Sequence, residues 1–140
     1  MNTADNRPFA PIVQKLRAAG LRPTRQRMSL AKLLFEMGDR HVTAEQLHQE
    51  AGQGRIRVSL ATVYNTLHQF TSAGLLREVV VQPGRSYFDT NTSDHHHFFL
   101  EASGHLQDIP GDSVALSKLP EPPEGTRISR VEVIVRVAKD

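Results

Sequence analysis

Three consecutive histidines, His95, His96 and His97, hold the most chemical potential in this sequence. In an extended backbone His95 and His97 project to one side and His96 to the other, so the first pair can share one ligand. Borderline transition metals favour imidazole supplemented by carboxylate. Asp89 and Asp94 lie on the approach to the run, and His41 stands at the start of a helix far upstream. The run is internal and leads directly into Phe98, Phe99 and Leu100, which separates it from a purification tag. His48, His68 and His105 read as surface or satisfied structural histidines. No cysteine is present, so disulfides, thiolate zinc and cysteine-ligated haem or iron–sulfur chemistry are excluded. Any metal must therefore be held by imidazole and carboxylate.

A second constellation lies in the segment SLATVYNTLHQFTSAG that begins at Ser59. Ser59 can cap a helix, and Leu60, Val63, Leu67 and Phe70 recur as an inward face. Thr62, Tyr64, Asn65, Thr66 and Gln69 are then left for other work. Thr62 and Tyr64 can meet thymine methyls, Asn65 and Gln69 can bond base edges, and Ser59 with the free N–H groups behind it can anchor a phosphate. Arg57 can neutralise another phosphate, and Arg22 can enter a narrow minor groove. These are the residues of a DNA reader.

The elements that must position both constellations follow from caps and periodicity. Residues 9–19 read as a helix ended by Gly20, with Ile12, Val13 and Leu16 facing inward. Thr24 caps a second helix with apolar Met28, Leu30, Leu33, Leu34 and Met37, ended by Gly38. Thr43 and Gln46 form a capping-box pattern for a third, in which Ala44, Leu47 and Ala51 face inward. After the fourth helix, residues 75–81 and 86–89 flank a Pro-Gly turn and read as a hairpin. Three helices and such a hairpin make a winged helix.

Residues 91–94 read as a hinge. Beyond it come strands at 97–100 and 105–109, a short helical turn at 112–119, and a tail in which Val131, Val133, Val135 and Val137 share one face. The expected class is therefore α+β: an N-terminal winged helix-turn-helix domain (1–90), a hinge (91–94) and a small α/β dimerisation domain (95–140). A half of about 45 residues cannot cover its own sheet, which predicts a homodimer. Charge divides at the same place. Residues 1–82 carry 11 Lys/Arg against 6 Asp/Glu and residues 83–140 carry 6 against 9. A net +5 half joined to a net −3 half fits a nucleic-acid module fused to one that does not bind DNA. No apolar run approaches the roughly 18 residues of a membrane span and no leader pattern opens the chain, so the expected location is the cytoplasm.

The runs GLRPTRQR at 20–27, RHVTAEQLH at 40–48, SLATVYNTLHQFTSAGL at 59–75 and SYFDTNTSDHHHFF at 86–99 resemble the ferric uptake regulator superfamily. LPEPPEG at 119–125 is similar to its iron response regulator branch. The resemblance implies a dimeric transcription regulator, not an enzyme, with a regulatory metal site on His41, Asp89, His95 and His97. A second family site is poorly matched, since Asp94 and His96 have Ala115 and Val131 where its other ligands would fall. The structural-zinc cysteine pairs and an N-terminal Cys-Pro haem motif are missing, which leaves His95, His96 and His97 as the haem locus. The branch further implies a regulator of iron homeostasis that binds A·T-rich inverted repeats when iron is scarce and is released by haem. The alternative is a repressor activated by Fe, Mn or Zn. A small metalloenzyme built on the same cluster is the rival of another class, disfavoured because no separate general base is apparent.

Overall fold

A computed structural model describes residues 9–140, and the expectation of no leader falls on residues outside that range. The chain forms two compact units, one ending at Thr92 and the other running Ser93–Asp140. The first contains α1 (Ala10–Ala18), α2 (Arg25–Phe35), β1 (His41–Val42), α3 (Ala44–Gln53), α4 (Leu60–Ser72), β2 (Arg77–Gln82) and β3 (Arg85–Asp89). The second contains β4 (His96–Leu100), β5 (His105–Ile109) and β6 (Ile134–Val137). The class is α+β.

Caps decide where the helices start. Thr24, Thr43 and Ser59 each stand in extended backbone and accept a bond from the amide three residues on, those of Arg27, Gln46 and Thr62. The helix ends are equally local. In α1 and α4, Gly20 and Gly74 adopt left-handed φ of 79° and 83°, and the following amides of Leu21 and Leu75 return to the carbonyls of Leu16 and Phe70. That is the closing pattern in which glycine avoids a Cβ clash. At the end of α3 the same pattern places Arg55, not a glycine, at φ 60°.

One core serves the first unit. Ile12 and Leu16 of α1, Leu30, Ala31 and Leu34 of α2, Leu47 and Ala51 of α3, and Val63, Leu67 and Phe70 of α4 meet Val42 and Phe88 of the sheet. That sheet has strand order β1-β3-β2, with β2 and β3 joined by a turn at Pro83 and Gly84. Three helices and a hairpin thus form the winged helix that the caps and periodicity predict.

Several local expectations are corrected. The second helix stops at Phe35, whose ring lies 6.3 Å from that of Phe70, and the chain then leaves helical geometry through Gly38 in left-handed backbone at φ 79°. Met37 lies beyond that end and is 82% exposed, so it is no core residue. In α4 the buried face is Val63, Thr66, Leu67 and Phe70, the full i, i+3, i+4, i+7 set, which takes in polar Thr66 and leaves Leu60 exposed. His41 does not open a helix; it lies in β1, a two-residue strand too short to show a period.

The second unit is a three-stranded sheet of order β5-β4-β6, with β4 antiparallel to β5 and parallel to β6. Residues 112–119 hold the end of a turn and irregular chain in place of a helix. A single helical turn cannot repay its nucleation without packing, and Leu116 and Leu119 remain exposed. Regular pairing of the tail begins at Ile134, so only Val135 and Val137 of the alternating valines lie within the strand.

Candidate metal centre and nucleic-acid interface

Sheet register creates the first cluster. His41 of β1 is paired directly with Asp89 of β3, and its Nε2 lies 3.3 Å from Asp89 Oδ2. The other carboxylate oxygen, Oδ1, accepts from the Asn91 amide at 2.9 Å, which fixes the orientation of a side chain that is 1% exposed. Arg40 holds this short strand in place. Its guanidinium grips Glu50 of α3 at 2.9 and 2.6 Å and donates to the Leu33 carbonyl at 3.2 Å. The Arg40 amide donates to Thr90 Oγ1, and the Thr90 amide returns to the Arg40 carbonyl. A two-residue strand could not hold its place by ladder bonds alone; this bidentate ion pair ties it to two helices.

The second unit builds a cluster of its own. His95, just before β4, and His97 within it project to the same side, with rings 4.5 Å apart at 62°. Ring Nδ1 of His95 lies 2.7 Å from the Ser93 carbonyl, which can only accept, so Nδ1 carries a proton and Nε2 is the ring atom directed into the cluster. The Nε2 atoms of His95 and His97 lie 3.3 and 3.4 Å from one oxygen of Asp108. Asp108 stands opposite His97 in the β4–β5 register. Within each cluster the ligand atoms lie within 4.8 Å of one another, against a span of about 4.2 Å for donors on opposite sides of a zinc-sized ion. Displacements of well under about 1 Å per donor suffice to close on a metal.

His96 is directed elsewhere. Its Nδ1 accepts from the Val133 amide at 3.0 Å, so it secures the tail beside β4 and does not join His95 and His97. Asp94 is exposed and lies outside both clusters. His48 braces the loop before α4 through its Nε2 contact to the Val58 carbonyl at 3.1 Å.

On α4 the outermost line is Ala61, Asn65, His68 and Ser72, spaced i, i+4, i+7, i+11 and all exposed. Tyr64 and Gln69 form its two shoulders. Tyr64 donates its phenolic proton to Glu45 of α3 at 2.6 Å. That bond holds the Glu45 carboxyl below its ordinary range and pushes the phenol up, with local desolvation adding to the latter. Gln69 accepts two bonds from Arg27 of α2, at 3.2 and 3.0 Å. The Ser59 hydroxyl both caps the helix and donates to Thr62 Oγ1 at 2.9 Å. Arg22 and Arg57 are exposed, and the Arg22 carbonyl accepts from Arg27 at 2.9 Å.

The family model described as the ferric uptake regulator family matches residues 18–135, which takes in the winged helix and both histidine clusters. The chain belongs to the ferric uptake regulator family. Among curated relatives it is similar to peroxide-responsive repressors PerR of Staphylococcus aureus strains, with 33% identity over 97 residues, 69% of this chain. The match spans 65% of those relatives, just under two thirds of their length. Among solved structures, a ferric uptake regulator from Pseudomonas aeruginosa with manganese has the same fold, at TM-score 0.67 and 24% identity over 90% of this chain and 96% of that one. The Vibrio cholerae ferric uptake regulator matches at TM-score 0.72 and 22% identity, over 91% and 98%. Membership is thus shown for the ferric uptake regulator family and not specifically for its iron response regulator branch.

Within this family member, three residues escape a reading of the sequence. Asp108 was legible in principle: a β-turn at 102–104 sets Leu100 opposite His105, and the same count sets His97 opposite Asp108. Arg40 and Arg27 act through tertiary contacts and leave no periodic signal. No helix among the described residues is long and apolar enough to cross a membrane.

Proposed function

We propose that this chain is a divalent-metal-responsive, DNA-binding transcription regulator that acts as a homodimer. The effector is Fe(II), Mn(II) or Zn(II), with His41 and Asp89 in the first unit and His95, His97 and Asp108 in the second as its candidate ligands. The observation that carries this reading is that each unit holds an incomplete donor set, two groups in one and three in the other. Asp89 and His95 are six residues apart, so the connection between them spans at most roughly 20 Å. Three imidazoles and two carboxylates match the mixed nitrogen and oxygen preference of these ions.

The winged helix supplies the DNA contacts. Asn65, Tyr64, Gln69 and Thr62 of α4 enter the major groove, while Ser59 and the helix N-terminus, Arg57 and Arg22 hold the backbone or the minor groove. The homodimer forms through the second unit. Leu116, Leu119, Ile128, Val135 and Val137 are all exposed there, more apolar surface than a small sheet leaves open without a partner.

Metal fits better than haem as the effector. Axial imidazoles on opposite faces of a porphyrin iron stand with ring centroids about 6 Å apart, given metal–nitrogen bonds of about 2 Å. His95 and His97 instead approach from one side with centroids 4.5 Å apart. Operator binding by the purified chain, titrated separately with Mn(II), Fe(II), Zn(II) and haem, tests the assignment. Divalent metal is expected to tighten binding by about 100-fold, a coupling of roughly 2.7 kcal/mol. H95A and H97A should abolish that response. A chelator-insensitive complex that haem dissociates would return the function to the iron response regulator reading.

A further inference from the structure

Arg27 and Gln69 meet on the shoulder of α4 that faces α2. The guanidinium directs Nε and one terminal nitrogen at the same oxygen, Gln69 Oε1, at 3.2 and 3.0 Å. Its other terminal nitrogen donates to the Arg22 carbonyl at 2.9 Å, which locks the fork against the turn before α2. Among the described residues no carboxylate pairs with Arg27, and the acceptors that face it there are two neutral oxygens. Arginine has five donors and no acceptor, and the Gln69 atom it faces must therefore be the oxygen. The amide cannot flip while that clamp holds. Gln69 then has only its NH2 to offer outward.

We propose that Arg27 is a positioning residue for base readout, fixing the Gln69 amide so that this part of α4 presents hydrogen-bond donors alone. The inference rests on the DNA-binding reading above and adds a specificity to it. A free glutamine reads adenine with two bonds, accepting from N6 and donating to N7. A clamped one has lost the acceptor. It matches base edges whose acceptors stand unopposed, guanine N7 and O6 or thymine O4; at adenine it keeps only the bond to N7 and loses the one to N6, and at cytosine it sets donor against the N4 donor. Arg27 keeps two N–H groups uncommitted and brings them beside the groove, where a phosphate oxygen can take them.

The test is a selection from randomised duplex DNA by the full chain supplied with Mn(II), comparing wild type with Q69A, R27M and Q69E. Q69A identifies the base pair that Gln69 reads, as the position whose preference it erases. At that pair the wild type is expected to favour guanine or thymine over adenine and cytosine by roughly five- to tenfold, the lower part of the range for a base-specific contact. R27M should bring adenine to parity. In Q69E the clamp stays, but the outward atom becomes an oxygen, so preference should switch to cytosine or adenine whether or not R27M folds. A wild-type preference for adenine or cytosine there, an R27M profile matching the wild type, or a Q69E profile without a switch would each overturn the assignment. Sequence-selective binding with no pair sensitive to Q69A would overturn it as well, leaving the DNA-binding reading intact. Absence of any selective binding would remove both.

Discussion

At the scale of single residues, chemistry is decided by which atom faces which. Asp108 aims one oxygen at two imidazole nitrogens, yet its side chain is 43% exposed and carries no part of the core. D108N keeps the shape and removes the charge. It is expected to leave folding unchanged while weakening Mn(II) or Zn(II) binding by about 10- to 100-fold, the range typical of carboxylates that support a metal shell. Competition against a chromogenic chelator measures this directly.

Tyr64 and Glu45 offer a second case. Their hydrogen bond lowers the Glu45 carboxyl and raises the Tyr64 phenol. The contribution of Glu45 is present above the ordinary carboxylate pKa and is lost as pH falls through its depressed folded value. That of Tyr64 is present below the ordinary phenol pKa and lost as pH rises through its raised folded value. Ultraviolet difference titration in a Y87F background, which leaves Tyr64 as the sole tyrosine, should give a midpoint above that of free tyrosine. E45A should lower it toward the ordinary value, leaving only the part due to local desolvation. An unchanged midpoint would mean that the pair does not form in solution.

At the scale of elements, helix boundaries are set by caps, and one of these is strained. Arg55 occupies the left-handed position that closes α3, at φ 60°, where a side chain costs roughly 1–2 kcal/mol. Glycine takes that position elsewhere in the same unit, at the ends of α1 and α4. R55G should therefore raise stability by about 0.5 kcal/mol in urea denaturation, the relief of strain less the added entropy of the unfolded chain. Loss of stability would show that the arginine side chain makes contacts worth more than its strain. The short strand β1 obeys a different logic, since its place depends on Arg40 and Glu50, and neither residue belongs to a strand.

At the scale of the whole molecule, the second unit leaves apolar surface uncovered. Val135 and Val137 project from β6 at 37% and 41% exposure, on a sheet with no helix among its elements. Replacing both with aspartate puts two like charges on the proposed twin interface. Sedimentation velocity is expected to give a dimer for the wild type and a monomer for this variant at the same concentration, with the far-ultraviolet spectrum preserved. A dimer that persists would place the interface elsewhere.

Caps and periods were legible from residues alone, because they depend on neighbours within about four positions. Thr24, Thr43, Ser59, Gly20 and Gly74 each act on backbone groups one turn away, so the helices and the hairpin of the winged helix follow from local rules. The alternation that sends His95 and His97 one way and His96 the other is likewise a property of any extended strand. Pairing across the chain is a different matter. That Asp89 faces His41, that Asp108 completes the His95 and His97 pair, and that Arg27 holds Gln69 all depend on sheet register and helix packing. Those contacts join positions separated by up to 48 residues, and the residue types alone allow many partners for each. Only the burial of each unit's own apolar residues selects among them, since a strand slipped by a single residue would turn its ligands to the opposite face.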